Sequence, residues 1–264
     1  MKKIKLILAL FSLSFLTACI DIEELIDINA DGSGTYSMTM DMGKLLEFAN
    51  TMKEGKESKK TPEKVDTTIY FKNTGEPFAK LTEEEKRVFK DGYCKTSMDE
   101  AAGKMTIVMY CPFKSMNDLA VVKKDLGGMM KKLELMDKAT ENKGGGELSK
   151  MNNEEGDIDI ESKLNPSSKQ FTFSATPGKL SYTINDKSKI KEMAANDSIM
   201  QMMQQASMLM GDMTTTTIIK LPAPAKTVTN AKAQLSADKK TVTIKSIITD
   251  LMEKPEEGEY SIEY

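Results

Sequence analysis

The sequence predicts an α+β fold: a mostly antiparallel β-sheet built from hairpins and packed with several helices, one of them long and rich in methionine. Three observations predict it. Period-two alternation flanks Asp31-Gly32-Ser33-Gly34 on both sides, with Ile26 and Ile28 before it and Tyr36, Met38, Met40 and Met42 after it, the pattern of a β-hairpin. "KQFTFSA" and "KLSYTIN" flank Pro177-Gly178, the residues a type II turn requires. From Lys189 to Met213, Ile199, Met203, Ala206, Met210 and Met213 fall on one helical stripe, with Met202 and Leu209 beside it.

Taken in order, the chain opens with basic "MKKIK", a short apolar run "LILALFSLSF" and then "LTAC", Leu16 to Cys19. The run is too short to span a bilayer and reads as the core of a signal peptide over residues 1–18. Leu-Thr-Ala-Cys resembles the lipobox of bacterial lipoproteins. That resemblance implies cleavage between Ala18 and Cys19, lipidation of Cys19, and a mature domain over 19–264. Each buried methylene of an acyl chain contributes about 0.8 kcal/mol, so two or three chains on one cysteine make a lasting membrane anchor. The acidic "IDIEE" that follows resembles a surface-export signal of lipoproteins in some two-membraned bacteria. The expected location is the cell envelope, lipid-anchored at the outer membrane, on its periplasmic or cell-surface face.

Asp27, Asn29, Asp31 and Gly32 imitate the start of an EF-hand loop. An EF-hand needs a helix on each side and a bidentate glutamate at loop position twelve. That position is Met38 and the flanks have strand period, so the stretch is read as a turn whose glycines supply positive φ. Next come a helical stripe at Leu45, Leu46, Ala49 and Met52, a charged linker "KEGKESKKTPEK", and a β-rich segment from Val65 to Phe71. Thr82 with Glu85 makes a capping box for a short helix.

With Cys19 assigned to lipid, Cys94 and Cys111 remain. A two-residue turn at Ala102-Gly103 places Cys94 directly opposite Cys111 and Glu100 opposite Met105, within reach of a cross-strand disulfide. An exported protein meets conditions that permit the bond, so a Cys94–Cys111 disulfide is expected. Ser115 with Asp118 then starts a helix closed by Gly127-Gly128, and a second helical piece runs from Met129 to Lys138. Residues 139–168, poor in apolar side chains and rich in glycine and charge, are expected to form a flexible connection. After the methionine stripe the tail is β: "TTTTIIKLP", a stretch alternating Ala231, Ala233 and Leu235, a polar turn, "TVTIKSIITDL" and "EYSIEY". No helical pattern interrupts it, so an antiparallel meander is expected.

Asp31 to Gly34, Leu221-Pro222, Asn230-Ala231 and Thr241 to Ile244 together are similar to a pattern in uncharacterised envelope lipoproteins of flavobacterial type, and more distantly to LppM-like domain proteins. The middle, Thr51 to Ser168, looks like an insertion or elaboration. The resemblance implies an α+β envelope domain with lipid contact in some members. It carries over no catalytic residue.

Composition narrows the function further. The 37 basic and 40 acidic residues are mixed along the chain, without the basic face that nucleic acid requires. Histidine is absent, which removes histidine-dependent triads and most zinc sites. No Gly-x-Ser-x-Gly, phosphate loop or His-Glu-x-x-His occurs. Glu154-Glu155 and Glu256-Glu257 adjoin glycines and read as solvated charge. The expectation is a non-enzymatic structural or binding lipoprotein, with an apolar ligand or lipid as one option and another envelope protein as partner in the other. Ile199, Met203, Ala206, Met210 and Met213 are the candidate wall of an apolar ligand site. The alternatives are metal binding, copper at the methionines or calcium at Asp27 to Asp31, and, ranked below it, an enzyme. No catalytic residue, metal ligand or cofactor is assigned.

Overall fold

The structure, a computed structural model, describes residues 20–44, 46–47, 64–135, 171–195, 204, 207–208 and 211–264. Residues 1–19, the segment 139–168 and residues 196–203, 205, 206, 209 and 210 of the methionine-rich stretch lie outside the described residues. The fold is α+β, with two largely antiparallel sheets and short helices between them.

The hairpin around Asp31 forms as expected. Strands β1 (Ile20–Ile28) and β2 (Gly34–Asp41) pair antiparallel from Ile28↔Gly34 to Asp21↔Asp41. The Asp31 carboxylate accepts from the Ser33 amide at 3.0 Å and the Ser33 hydroxyl at 2.6 Å, while Gly32 takes φ 81°. These bonds hold the Asp31 carboxyl below its ordinary pKa. Its oxygens serve the turn, which is why the residues of a calcium loop occur between two strands.

β3 (Lys64–Tyr70), β4 (Tyr93–Asp99) and β5 (Lys104–Phe113) extend this sheet on one side. On the other side β1 pairs parallel with β8 (Met213–Lys220), followed by β11 (Thr241–Ile247) and β10 (Ala233–Leu235). The eight strands lie in the order β10-β11-β8-β1-β2-β5-β4-β3. A second sheet, β6-β7-β12-β9, contains β6 (Phe171–Thr176), β7 (Lys179–Ile184), β12 (Tyr260–Glu263) and β9 (Thr227–Val228). Thr176 pairs with Lys179 and Gly178 has φ 80°, the two-residue turn expected at Pro177-Gly178.

The tail is not one meander. After β11 the chain turns into a short helix, α5 (Ile248–Glu253), and a 3-10 turn at Pro255–Gly258, and this redirects the last strand into the second sheet. Ile248, read from its alternation as strand, starts that helix. Of the other described helices, α1 (Glu76–Ala79) is a single turn and α2 (Glu83–Phe89) has the capping box, with Glu85 N donating to Thr82 Oγ1 at 3.2 Å and Thr82 N donating to Glu85 at 2.8 Å. In α3 (Met116–Lys132) the Ser115 hydroxyl accepts from Asp118 N at 3.2 Å. This helix continues through Gly127-Gly128, where a stop was expected. Leu119, Val122, Leu126, Met129 and Leu133 are all buried along one face, and their packing outweighs about 1 kcal/mol of lost propensity per glycine. α4 (Lys187–Ala194) follows β7.

The expected opposition of Cys94 and Cys111 is corrected by register. Glu100–Ala102 form a 3-10 turn and Gly103 adopts φ 60°, so the strands are joined at Asp99↔Lys104. The pairing shifts by two residues from the one expected. Cys94 faces Met109, and Cys111 faces Tyr36 of β2 on its other side. An even shift keeps both thiols on the core face but makes them diagonal, a relation with Cα atoms about 7–8 Å apart, beyond the usual disulfide span. Both are buried and free, and the Cys111 thiol donates to Val88 O at 3.7 Å.

Burial pushes the Cys94 thiol up to about 11 and Cys111 up to about 12, so neither is a nucleophilic thiolate near neutrality. Because the folded values lie above the unfolded one near 9, this contribution to stability is full below about pH 9 and is lost as the pH climbs through 11 to 12. Thiol reagents are expected to modify native protein slowly at pH 8 and both cysteines promptly in denaturant without reductant. Protection that persists in denaturant would restore the disulfide.

Candidate functional site

The core-facing side of β1 reads Ile22, Glu24, Ile26, Ile28, so an acid stands in an apolar row. Glu24 is only 5% exposed. A buried carboxylate is tolerated only where donors replace its water, and three elements supply them. Tyr36 of β2 donates its hydroxyl to Glu24 Oε1 at 2.5 Å. Thr217, the residue of β8 in parallel register with Glu24, donates to Oε2 at 3.1 Å. Lys123, on the inner face of α3 between Leu119 and Leu126, forms the ion pair at Oε1. The lysine ammonium also lies 5.3 Å from the Tyr182 ring centroid and 6.0 Å from that of Tyr36, within cation–π range.

The second sheet presents an aromatic ladder to this cluster. Phe171 stacks on Tyr182 at 5.4 Å between centroids, and Tyr182 on Tyr260 at 5.7 Å. Burial raises Tyr36, Tyr182 and Tyr260 well above the ordinary phenol range, and in each case the nearby Glu24 carboxylate adds to the rise. All three are neutral donors at physiological pH. The Tyr260 hydroxyl is buried and has no hydrogen-bond partner within the protein.

Between this ladder and strands β8 and β11 lies a cavity of about 260 Å³. Ile184, Ile244, Ile248, Leu251 and Met252 give it an apolar wall, with α5 contributing one side. Glu24, Lys123, Thr215, Thr217, Ser246 and Tyr260 contribute its polar part. Two of the carboxylate's donors are already fixed by β-register and the third by a helix packed on the sheet. The arrangement is therefore rigid, and it can hold a small molecule against an oriented dipole. With three donors on Glu24 and the phenols neutral, it offers no free base or activated nucleophile.

Cys19, Ala18, Ile199, Met203, Ala206 and Met210 are outside the described residues. Met213 is the half-buried first residue of β8, opposite Ile20, and does not line the cavity. Ile190 of α4, at the start of the methionine-rich stretch, does line it. Glu24 carried a sequence signal, an acid on the apolar face of a strand, that was read instead as part of an export signal. Of the paired carboxylates, Glu257 is tied to Lys232 at 2.6 Å and Glu256 lies 3.9 Å from Lys191. Asp27 faces Lys220 at 3.4 Å. Among the described residues no three His, Cys, Asp or Glu side chains converge on a point that could hold a metal ion, and no helix is long and apolar enough to cross a membrane.

Comparison with protein-family models, with curated proteins and with solved structures finds no match for this chain.

Proposed function

We propose that the chain is a lipid-anchored envelope lipoprotein with a non-enzymatic binding role, and that its ligand is a small, mainly apolar molecule held in the cavity between the two sheets. The observation that carries this reading is the cavity itself. It is apolar on most sides and has a few converging polar groups, the usual character of a small-molecule site.

Placement of the anchor supports it. Cys19 immediately precedes β1 in sequence, so a lipid there would hold the Ile20 end of the large sheet at the membrane. Ile20 pairs with Met213, and the next residue, Thr214, pairs with Ile247. Ile247 leads directly into α5, whose Leu251 and Met252 line the cavity. A ligand drawn from the membrane would thus have a short path to the site.

The test is native mass spectrometry of the mature chain carrying Cys19→Ser, exported on an ordinary secretory signal and purified gently from the periplasm. A retained small organic molecule is expected. A bare chain would contradict the reading and favour an envelope scaffold that engages other proteins.

A further inference from the structure

Volume and hydrogen-bonding capacity together narrow the ligand, given the binding role proposed above. A cavity of about 260 Å³ is many times the ~10–15 Å³ that one water needs, so it has room for a small organic molecule. Its polar part is unbalanced. Glu24 already accepts from Tyr36, Thr217 and Lys123, so its lone pairs are largely committed. The hydroxyl of Tyr260 has nothing to donate to. Lys123 has three N–H groups, one of them spent on Glu24, and the side chain lines the same cavity. What the Tyr260 hydroxyl lacks is an acceptor within the protein.

Charge decides which acceptor. The Lys123 ammonium is already neutralised by Glu24, and the Glu24 charge reaches all three phenols of the cluster. A ligand carboxylate would be a second negative charge in a sheltered site, with no cation left for it. A carbonyl oxygen brings lone pairs without charge. The Tyr260 hydroxyl has no acceptor within the protein, so a ligand carbonyl would satisfy a buried donor.

We infer that the cavity takes a small uncharged molecule bearing one carbonyl oxygen, which accepts from the Tyr260 hydroxyl. The acyl end of an ester, a ketone, an aldehyde or an amide satisfies this chemistry equally. Tyr260 is then the residue that distinguishes such a molecule from a plain hydrocarbon, and Glu24 is the residue that excludes an acid.

Three probes of one frame test this on the mature chain carrying Cys19→Ser: ethylbenzene, acetophenone and benzoate, with affinities measured by titration calorimetry. Acetophenone is expected to bind at least as tightly as ethylbenzene although its oxygen must leave water, and benzoate the most weakly. Tyr260→Phe is expected to lower the ratio of acetophenone to ethylbenzene affinity about tenfold. Weaker binding of acetophenone than of ethylbenzene to the unaltered chain, benzoate as the tightest probe, or a ratio unmoved by Tyr260→Phe would each overturn the inference. The first two comparisons need no cavity variant and stand whatever the fate of Tyr260→Phe. Failure of ethylbenzene itself to bind would instead refute the underlying binding role.

Discussion

Lys123→Met is expected to lower the stability of the folded chain by about 3–5 kcal/mol, the largest single effect of any change at the site. The side chains of Glu24 and Lys123 are 6% and 16% exposed, so removal of the cation leaves a carboxylate that water cannot reach freely. Tyr36 and Thr217 still donate to it, but they carry no compensating charge. The side-chain volume is nearly kept, so little of the loss comes from packing. Adding Glu24→Leu to Lys123→Met is expected to recover most of the stability, because a buried ion pair is costly to break and much less costly to replace whole. Urea denaturation of the two variants measures both effects. A loss below about 1 kcal/mol for Lys123→Met would mean that the pair behaves as a solvated surface contact.

Gly34→Ala is expected to cost at least about 3 kcal/mol, for steric reasons alone. A Cβ at this position would lie 1.9 Å from the backbone oxygen of Asp27 and 2.5 Å from the Phe113 ring. The first obstacle is main chain, in the very strand that Gly34 closes against, and cannot swing aside. The second is a ring 2% exposed in the core. The hairpin would have to open at Ile28↔Gly34, the first pair after the turn, and β1 lies at the centre of the large sheet. Gly32→Ala makes a useful comparison. Its Cβ would come no nearer than 3.6 Å to any side chain, and its penalty is the positive φ of 81°, worth about 1 kcal/mol. Thermal unfolding of both variants should separate crowding from backbone strain, and equal losses would show that crowding at Gly34 is relieved.

Local signals in the sequence were reliable. The Asp31 turn, the Pro177-Gly178 turn and the caps at Thr82 and Ser115 all depend on a few adjacent residues, and each forms as its chemistry dictates. Errors arose where packing at a distance chose between local options. Gly127-Gly128 reads as a stop but lies within α3 because the residues on either side share one buried stripe. The turn at Glu100–Gly103 takes two more residues than the shortest hairpin, so Cys94 and Cys111 are diagonal, and nothing in the alternation of β5 distinguishes the two registers. One meander is expected of the tail because no helical pattern interrupts its strands, whereas α5 carries the chain to another sheet.

The candidate site was half legible. Glu24 stands out in the row Ile22, Glu24, Ile26, Ile28, and Lys123 interrupts an apolar helical stripe. Their meeting could not be read, since the partners of Glu24 lie 12, 99 and 193 residues away. Tyr260 shows in sequence only as part of a terminal alternation, and its unpartnered hydroxyl is a property of the assembled fold.

Binding at the inter-sheet cavity is tested most directly by methyl NMR of the mature chain, isoleucine-labelled and carrying Cys19→Ser, during titration with ethylbenzene. The account predicts saturable shifts at Ile184, Ile244 and Ile248, which line the cavity, with Ile107 in β5 unmoved. No shift at these three methyls, or shifts confined to isoleucines outside the cavity, would contradict it.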